Sequence, residues 1–393
     1  MAVAGPTVTE RDVEDAAALL DGRVRETPLL AAGELSRHLG ARTLLKAENL
    51  QLTGSFKVRG ALNTVARLSP DELECGVVAA SAGNHAQAVA WAARGAGASA
   101  KLVMPEGAPL AKVAAVREYD GDVHLVEGGY DAAGAEARRL AEEEGRTLIH
   151  AFDRASIVAG QGTVGLEIAR QDPGVRLVVV PLGGGGLSSG IAIALAGRAK
   201  VVGVQAEERA GATICDGIAI KRPGDFTSPL VERHLADVVT VSDDEVAEAM
   251  VLLLERSKLV VEGAGAVGVA ALMHGRVEPP AEGSVCAVLS GGNVDASLLS
   301  ECIRMGETAA GRRMVIGTVV PDRPGALAGL LRLVADHGAN VVDVEHLRDG
   351  IELHVRETAI KLVLQTRGGE HGREIVEAAR ERGFSVAVER EVV

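Results

Sequence analysis

Aromatic residues are scarce in this chain. Phe, Trp and Tyr together make up 2% of its 393 residues, whereas apolar residues as a whole make up 47%. The core must therefore be built from Val, Leu, Ile and Ala, a composition that suits buried parallel strands flanked by Ala-rich helices. A chain of this length is expected to form two or three domains.

Cysteine is also rare, and the four that occur lie far apart with no Cys-X-X-Cys pair among them. This spacing argues against a disulfide framework and a cysteine-based zinc site, and it is typical of reduced thiols in a cytosolic protein. The cysteines are Cys75, Cys215, Cys286 and Cys302.

The chain lacks strongly basic stretches, and its formal net charge is −13. We therefore set aside a nucleic-acid partner, since binding would need a positive patch to displace counterions from phosphates. Met1 to Leu20 has neither a basic start nor a continuous apolar segment and does not resemble a signal peptide. The longest apolar run, Ala264 to Met273, is too short to cross a bilayer. We expect a soluble, cytoplasmic protein without a membrane partner.

From Arg11 to about Ser290 the sequence alternates short apolar strands with helices. This alternation is typical of parallel β-α-β units and predicts an α/β fold with parallel-rich sheets. No fixed-period repeat is visible. The predicted strands are Val77–Ala80, Lys101–Met104, Val123–Val126, Leu177–Pro181, Val201–Val204 and Val285–Leu289.

The pattern changes near Gly311. The segment that follows predicts strand, helix, strand, strand, helix, strand, which is the ferredoxin-like order of a separate α+β domain. We predict one domain over residues 1–312, a second over residues 313–393, and a linker from Gly306 to Arg313. The predicted elements of the second domain are strands Met314–Val320, Val341–His346, Ile351–Gln365 and Phe384–Glu389, and helices Ala326–His337 and Arg373–Glu381.

A glycine-rich turn, Pro181 to Leu187, lies between a predicted strand and a predicted helix. Backbone N–H groups at a helix N-terminus, with no side chains in the way, form an anion site that suits a phosphate. The Walker A and dinucleotide fingerprints both fail here, although Glu207, about twenty residues on, imitates the ribose-binding acid of dinucleotide sites. The alternative interpretation is a tight turn that needs small residues. The turn contains Gly183, Gly184, Gly185 and Gly186.

Lys57 follows an aromatic residue, Phe56, and small residues surround the pair. A partly desolvated lysine has a lowered pKa, which suits a Schiff base or a proton carrier. Taken alone, such a lysine is more often an exposed or snorkelling side chain. Its significance depends on what lies near it in the fold.

Two polar loops follow predicted strands. Residues 81–87 read Ser-Ala-Gly-Asn-His-Ala-Gln, and residues 289–293 read Leu-Ser-Gly-Gly-Asn. Ligands of α/β proteins bind at the carboxyl ends of strands, on loops of this kind. The first loop has a second interpretation, as a helix cap containing asparagine. Together with Lys57 and the glycine turn, the loops supply an amine, an anion site and polar side chains.

These segments, with Val-Glu-Gly-Ala-Gly-Ala at residues 261–266, resemble the threonine dehydratases (threonine ammonia-lyases). That family belongs to the tryptophan-synthase-β-like (fold type II) pyridoxal-phosphate enzymes. The resemblance covers residues 20 to 305 with the motifs in the expected order. It implies a smaller subdomain over about residues 50–150, with the larger subdomain formed by the remainder. The segment after residue 313 resembles an ACT domain through Pro-Asp-Arg-Pro-Gly-Ala-Leu at 321–327 and Gly-Ala-Asn-Val at 338–341.

The resemblance implies a role for each motif. Lys57 would bind pyridoxal phosphate covalently, with Phe56 packed beside the ring. Asn84 would hydrogen-bond the ring's 3′-hydroxyl, and Ser290 would face the pyridine nitrogen. The phosphate would be held by backbone N–H groups of Gly183, Gly184, Gly185, Gly186 and Leu187. Candidates for the substrate carboxylate are Ser81, Gly83 and His85.

The implied reaction is elimination of water from L-threonine, giving 2-oxobutanoate and ammonia, with L-serine as a second substrate. Lys57 would take the α-proton, and a neutral Ser290 would disfavour a long-lived carbanion. Related serine racemases have a serine where this chain has Ala82, so racemisation should be weak. The racemase pattern also has a divalent-cation site. Glu207 matches one of its acids, but Thr213 stands near the second position, which argues against a metal.

Several alternatives remain open. Within the same fold they are a serine dehydratase or racemase-like enzyme, or a β-replacement enzyme such as the cysteine synthases. From other classes they are a catalytically silent amino-acid sensor, or a NAD-dependent oxidoreductase, which would leave Lys57 and Asn84 unexplained. The ACT domain implies an amino-acid effector, with isoleucine and valine as natural candidates if the enzyme serves isoleucine biosynthesis. Such modules usually bind ligand where two of them pair, so we expect a homo-oligomer. The domain's alternative role is only to hold subunits together.

Overall fold

The computed structural model of the chain describes residues 7–208, 213–220, 223–348 and 353–389. These residues form two compact units, Met1–Asp295 and Ala296–Val393, each with its own sheets and core. Within the described ranges, no helix is both long enough and apolar enough for a bilayer crossing.

The first unit contains two sheets whose strands are short and rich in Val, Leu and Ala, as expected for strands buried on both faces. In chain order, the strands are β1 (Leu29–Ala31), β2 (Arg42–Lys46), β3 (Val77–Ala80), β4 (Ala100–Pro105), β5 (Asp122–Val126), β6 (Thr147–Leu148), β7 (Val175–Pro181), β8 (Lys200–Ala206), β9 (Asp237–Val241) and β10 (Ser284–Val288).

The larger sheet has the strand order β1-β2-β10-β7-β8-β9 and is parallel except for the antiparallel β1–β2 pair. In its centre, Val179 of β7 is in register with Ala287 of β10 and Val202 of β8. The smaller sheet has the order β5-β4-β3-β6 and is parallel throughout. The parallel-rich α/β fold predicted from the sequence is confirmed.

Helices connect these strands, and several begin with a recognisable cap. Ser69 and Ser242, for example, each form a capping box with a glutamate three residues on, which satisfies exposed N–H groups. The helices are α1 (Glu10–Leu20), α2 (Gly33–Leu39), α3 (Lys57–Val65), α4 (Pro70–Cys75), α5 (Asn84–Gly95), α6 (Leu110–Glu118), α7 (Tyr130–Glu144), α8 (Ala155–Gln171), α9 (Gly186–Ala194), α10 (Ser228–His234), α11 (Asp243–Leu252) and α12 (Gly263–Met273).

The second unit has the ferredoxin-like order predicted from the sequence. Its antiparallel sheet runs β12-β13-β11-β14, with Thr318 in register with Ile360 and Val386. An apolar core that includes Ile316 and Leu362 lies between this sheet and two helices. The elements are α13 (Ala296–Ala309), β11 (Arg313–Pro321), α14 (Ala326–Asp336), β12 (Asn340–Leu347), β13 (Glu357–Gln365), α15 (Gly369–Glu381) and β14 (Ser385–Glu389).

Two details of the second unit differ from the sequence prediction. The strand predicted from Ile351 begins at Glu357; residues 351–352 lie outside the described part of the chain. The predicted linker also overlaps a helix, because α13 continues through Gly306 to Ala309. The chain turns at Gly311, between the end of α13 and the start of β11. Gly311 has φ +65°, a conformation that glycine adopts without strain.

The topology gathers the predicted loops. Strand β3 ends one residue before Ser81, β7 ends at Pro181 where the glycine turn begins, and β10 ends two residues before Ser290. Each loop therefore lies at the carboxyl end of a parallel strand, where α/β proteins bind their ligands.

Candidate active site

One cavity of about 350 Å³ collects the residues predicted to hold cofactor and substrate. We call it the active-site cavity. The predicted residues come from four segments of the first unit that are far apart in sequence. The predicted residues in its lining are Phe56, Lys57, Ser81, Gly83, Asn84, His85, Gly183, Gly184, Gly185, Gly186, Leu187 and Ser290.

Lys57 is the first residue of α3. Its Nζ donates a hydrogen bond to the carbonyl of Ala151 at 3.1 Å and lies 5.1 Å from the centroid of the Phe56 ring. Burial lowers the pKa of Lys57 to about 8, although the nearby Glu262 opposes the shift. A substantial fraction of this amine is therefore neutral near pH 8, as a nucleophile or base requires.

The glycine turn has no room for a side chain at Gly184 and little room at its other three glycines. A Cβ on Gly184 would lie 2.1 Å from Cγ of Phe152, and one on Gly183 would lie 3.0 Å from Cα of Ile218. Gly185, the N-cap of α9, has φ +87°. The turn exposes the first N–H groups of α9, which have no partner inside the helix and favour an anion.

A second layer of residues supports the glycine turn. Thr227 Oγ1 donates to the carbonyl of Gly184 at 2.6 Å. Asp153 Oδ1 in turn accepts from the backbone N–H groups of Phe226 and Thr227, each at 3.0 Å. The turn is thus anchored through the carbonyl of Gly184, and this bond leaves the N–H donors of the turn available for a ligand. Neither Asp153 nor Thr227 was predicted from the sequence.

His85 does not face the cavity with a free N–H group. Its Nε2 lies 2.9 Å from the carbonyl of Ile149, which accepts the bond. Burial lowers the pKa of His85 to about 3, and the charge of Lys57 acts in the same direction. The ring is therefore neutral, and its remaining nitrogen is only an acceptor. A carboxylate-binding role predicted for His85 must rest on its backbone N–H group, in the first turn of α5.

Asn84 is held between two side chains. Its Nδ2 donates to Glu262 Oε1 at 2.8 Å, and its Oδ1 accepts from Asn293 Nδ2 at 2.6 Å. Glu262 lines the active-site cavity and is only 6% exposed. Burial raises the pKa of Glu262 to about 7; the charge of Asp216 adds to this shift, whereas Asn84 and Lys112 oppose it.

No role was predicted for Glu262 from the sequence, although it lies in the Val-Glu-Gly-Ala-Gly-Ala motif at residues 261–266. The available signal was a lone acid between Val260-Val261 and the Gly-Ala-Gly start of an apolar helix. A carboxylate there must be buried and partnered, which makes it a candidate for function. Its partner is 178 residues away in the sequence.

Ser290 is 2% exposed and lines the active-site cavity. Its backbone carbonyl accepts a hydrogen bond from the N–H of Phe56 at 3.0 Å, and Ser55 and Gly291 form an isolated β-bridge. The loop that carries Ser290 is therefore fixed to the segment that carries Lys57.

An ion pair that the sequence did not predict also lines the active-site cavity. Lys112 Nζ on α6 lies 2.5 Å from Asp216 Oδ2, in a 3₁₀ turn after β8. The Lys112 side chain is 15% exposed and that of Asp216 is 62% exposed. This pair joins a helix beside the smaller sheet to a segment beside the larger sheet.

Behind Lys57 lies a buried charge cluster, which we define as Lys46, Glu48, Arg59 and Glu167. Arg59 Nε donates to Glu48 Oε2 at 2.8 Å, and its Nη1 donates to Glu167 Oε1 at 2.6 Å. Burial alone would lower the pKa of Arg59, but the two carboxylates raise it, so the guanidinium stays charged. The cluster anchors α3, the helix that begins at Lys57.

Glu207, which matches one acid of the racemase cation pattern, lies outside this site. It is exposed and does not line the active-site cavity. Thr213, near the second position of the cation pattern, donates its hydroxyl to Asp243 at 2.6 Å. Within the described ranges, no three His, Cys, Asp or Glu residues are grouped to hold a metal. Residues 209–212 are outside those ranges, so a cation at Glu207 stays a hypothesis.

Comparisons with known proteins match both units. A model of the pyridoxal-phosphate dependent enzyme family matches residues 20–291, and a model of the ACT domain matches residues 314–378. The L-threonine ammonia-lyase of Thermotoga maritima is 42% identical over 97% of this chain and 99% of its own length.

Solved structures give the same family. The processed form of threonine deaminase isoform 2 from Solanum lycopersicum has a TM-score of 0.70 and 32% identity, covering 77% of this chain and 96% of that one. Maize serine racemase has a TM-score of 0.71 and 31% identity, covering 75% and 97%. The chain therefore belongs to the pyridoxal-phosphate dependent enzyme family, in the group that contains the L-threonine ammonia-lyases, and carries an ACT domain.

The residues of the active-site cavity fit pyridoxal phosphate, the cofactor of this family. Lys57 offers an amine for its aldehyde, and the glycine turn offers N–H donors for its phosphate. A Cβ at Gly184 would collide with the Phe152 ring, so the turn can keep this backbone only with glycine there. Asn84 and Ser290 supply polar groups from two further loops. The cofactor predicted from the sequence is thereby confirmed.

Proposed function

We propose that this enzyme deaminates L-threonine by eliminating water, giving 2-oxobutanoate and ammonia, and that it also accepts L-serine. The observation that carries the proposal is the buried Lys57 amine in the same cavity as the glycine turn. The relative from Thermotoga maritima, similar over both units, is an L-threonine ammonia-lyase. Elimination releases one water molecule and leaves an enamine. Hydrolysis of that product consumes one water molecule and releases ammonia, so the atoms of the overall reaction balance.

In this mechanism, pyridoxal phosphate supplies an electron sink for the pair released at the substrate's α-carbon. Lys57, with a pKa of about 8, accepts the α-proton. Backbone N–H groups at Gly83 and His85, with the hydroxyl of Ser81, hold the substrate carboxylate at the start of α5. The β-hydroxyl takes up a proton and leaves as water.

Other residues hold the cofactor. Backbone N–H groups of residues 183–187 would bind the phosphate, and Phe56 would pack beside the ring. Asn84 would hydrogen-bond the ring's 3′-oxygen, and Ser290 would face the ring nitrogen. A neutral serine does not keep that nitrogen protonated, which weakens the electron sink and favours departure of the β-hydroxyl over transamination.

Ala82 favours elimination over racemisation. Racemisation needs an acid/base group on each face of the α-carbon, and Lys57 serves one face. Ala82 lines the active-site cavity and has no exchangeable proton. This chain therefore shares its fold with maize serine racemase. The alanine at position 82 nevertheless argues for a lyase.

The test follows 2-oxobutanoate after mixing the purified holoenzyme with L-threonine, beside an absorbance scan of bound pyridoxal phosphate. We expect wild type to form the oxo acid and Lys57→Ala to be inactive. Lys200→Ala, which removes an exposed lysine at the start of β8, is the matched control and should keep full activity. A cofactor-loaded enzyme that leaves both threonine and serine unchanged would contradict the reaction and point to β-replacement.

We further propose that residues 313–393 bind an amino-acid effector, where two such domains pair in a cytoplasmic homo-oligomer. The match to the ACT domain supports this regulatory role. Each of the twenty amino acids would be added in turn, with isoleucine and valine first, while the rate and the half-saturating threonine concentration are measured. If no amino acid changed either quantity, the domain would only hold subunits together.

A further inference from the structure

A chain of hydrogen bonds runs from Thr53 to Glu262 through Asn293 and Asn84, and its three side chains line the active-site cavity. Asn293 Nδ2 donates to the carbonyl of Thr53 at 2.8 Å and to Asn84 Oδ1 at 2.6 Å. Asn84 Nδ2 then donates to Glu262 Oε1 at 2.8 Å. Because the chain begins at a backbone carbonyl, its direction can be worked out from donors and acceptors alone.

The carbonyl of Thr53 can only accept, so the atom of Asn293 that faces it must be the amide nitrogen. That nitrogen also faces Asn84, which must therefore present its oxygen. The backbone at this point is unusual, because Thr53 has φ +60° and Gly54 has φ +73°. The position of the carbonyl is thus set by a turn that few residues adopt.

The orientation of the Asn84 amide follows. If it were flipped, its nitrogen would face the nitrogen of Asn293, and its oxygen would face the carboxylate of Glu262. In the observed orientation one Nδ2 hydrogen is bonded to Glu262, and the second is left for a ligand in the cavity. Asn84 is therefore a donor toward the cavity.

Glu262 is held where this bond requires it. Its backbone N–H donates to the carbonyl of Gly291 at 3.0 Å. A Cβ on Gly291 would lie 2.4 Å from Glu262 Oε1, so only glycine at position 291 leaves room for the carboxyl group. The same loop carries Asn293, so one segment positions both side chains that hydrogen-bond to Asn84.

We propose that Glu262 is a positioning residue, which holds Asn84 so that its free amide hydrogen is donated to the ring oxygen of bound pyridoxal phosphate. This inference rests on the proposed placement of the cofactor beside Asn84 and not on the identity of the substrate. A fixed donor favours the deprotonated form of that oxygen, since a hydrogen bond to the charged form stabilises it.

The charge of Glu262 depends on the groups that face it. These are Asp216 from the 3₁₀ turn after β8, Lys112 from α6, Lys57 from α3 and Asn84 from α5. Burial and Asp216 raise the pKa of Glu262 to about 7, against the three others. Above that pH the carboxylate is a strong acceptor for Asn84; below it the neutral acid accepts more weakly.

The experiment compares substrate-free holoenzymes of wild type, Glu262→Gln and Glu262→Ala, with Glu118→Gln on the exposed face of α6 as the control. The absorbance of bound pyridoxal phosphate is recorded across neutral pH, and the apoenzymes are titrated with the cofactor. We expect a spectral transition near pH 7 in wild type and Glu118→Gln, and its loss in Glu262→Gln.

Cofactor affinity separates the two Glu262 variants. Glu262→Gln keeps an oxygen acceptor and should bind pyridoxal phosphate nearly as tightly as wild type. Glu262→Ala leaves Asn84 unpartnered and should bind it about tenfold more weakly, as loss of a buried hydrogen bond predicts. Asn293→Asp, which turns a donor toward Asn84 Oδ1 into an acceptor, should weaken binding to a similar extent.

The inference is overturned if Glu262→Gln keeps the wild-type transition, or if Glu262→Ala and Asn293→Asp bind the cofactor like wild type. Circular dichroism shows whether each variant is folded, and Glu262→Gln carries the test if the alanine variant is not. These readouts contain no substrate. An enzyme that shows them but leaves threonine unchanged would contradict the proposed function alone.

Discussion

The two units differ in what they bury. The first buries ionisable side chains, among them Lys46, Glu48, Arg59 and Glu262. Within the described residues of the second unit, the buried polar side chains are three threonines and one histidine, namely Thr318, Thr358, Thr366 and His371. Buried charge is costly unless it is paired. Buried charged groups are concentrated in the first unit. There they lower the stability of the fold unless they are paired, and they create a defined chemical environment.

Breaking the buried charge cluster should give the largest effect. Arg59→Met removes the partner of Glu48 and Glu167, and should destabilise the first unit by about 3–5 kcal/mol, because it leaves buried carboxylates uncompensated. Trp91, the one tryptophan of the sequence, lies on α5 and packs against the core of the first unit. Its fluorescence during urea unfolding measures this change.

The matched control is an ion pair of the second unit. Arg348 and Asp322 lie 3.1 Å apart with side chains 60% and 44% exposed. Such surface pairs contribute about 0–1 kcal/mol, so Arg348→Ala should leave the unfolding midpoint nearly unchanged. Equal effects of Arg59→Met and Arg348→Ala would contradict the contrast between the two units.

The apolar core of the second unit should be sensitive to a different change. Leu362 is fully buried in β13, and Leu362→Ala should cost about 2–5 kcal/mol through lost burial and a cavity. We expect circular dichroism to show early unfolding of this unit while Trp91 fluorescence keeps its wild-type midpoint. Val342→Ala, at a side chain 60% exposed, is the control. A simultaneous shift of both signals would show that the units unfold together.

The two units also differ in how they tolerate a side chain in place of a glycine. Gly184→Ala must displace the Phe152 ring from the glycine turn; overpacking of about 1–3 kcal/mol predicts roughly 5- to 150-fold weaker binding of pyridoxal phosphate. Gly329→Ala, in α14, meets nothing within 4 Å and should slightly stabilise its helix. Titration of both apoenzymes with the cofactor measures the difference. Unchanged affinity in Gly184→Ala would argue against phosphate binding at this turn.

Much of this arrangement could be predicted from the sequence. The glycine turn, the loop at residues 81–87 and the loop at residues 289–293 each follow an apolar strand. Parallel strands of one sheet bring their carboxyl ends to one edge, so the glycine turn after β7 and the loop after β10 had to converge. The loop at residues 81–87 follows β3 of the smaller sheet, so its place beside them depends on how the two sheets pack. Lys57 lies on no such strand end, and its place in the cavity followed only from the family resemblance.

What could not be predicted depends on contacts between distant segments. The bond of Asn84 to Glu262 joins residues 178 positions apart, and the bond of Lys112 to Asp216 joins residues 104 positions apart. Neither leaves a local pattern. The hydrogen bond of the His85 ring could not be predicted either. The motif that contains His85 gives no sign that its ring N–H donates to the carbonyl of Ile149.

The smallest expected effect is a pH dependence that follows from the burial of Lys57. In the proposed role of Lys57, only its neutral amine would attack the cofactor aldehyde, and burial lowers the pKa of Lys57 to about 8. The rate at which apoenzyme combines with pyridoxal phosphate should therefore rise about tenfold per pH unit below that pKa and level off above it. Rapid-mixing absorbance measures this rate.

A variant of Glu262, the acid near Lys57, tests the same prediction further. Glu262 raises the pKa of Lys57, so Glu262→Gln should move the midpoint of the rate profile to lower pH. Lys200→Ala, at an exposed lysine outside the cavity, should leave the profile in place. A midpoint near the ordinary lysine value of 10.5 would mean that water reaches Lys57 freely. The contrast in buried charge between the two units would then not extend to the Lys57 amine.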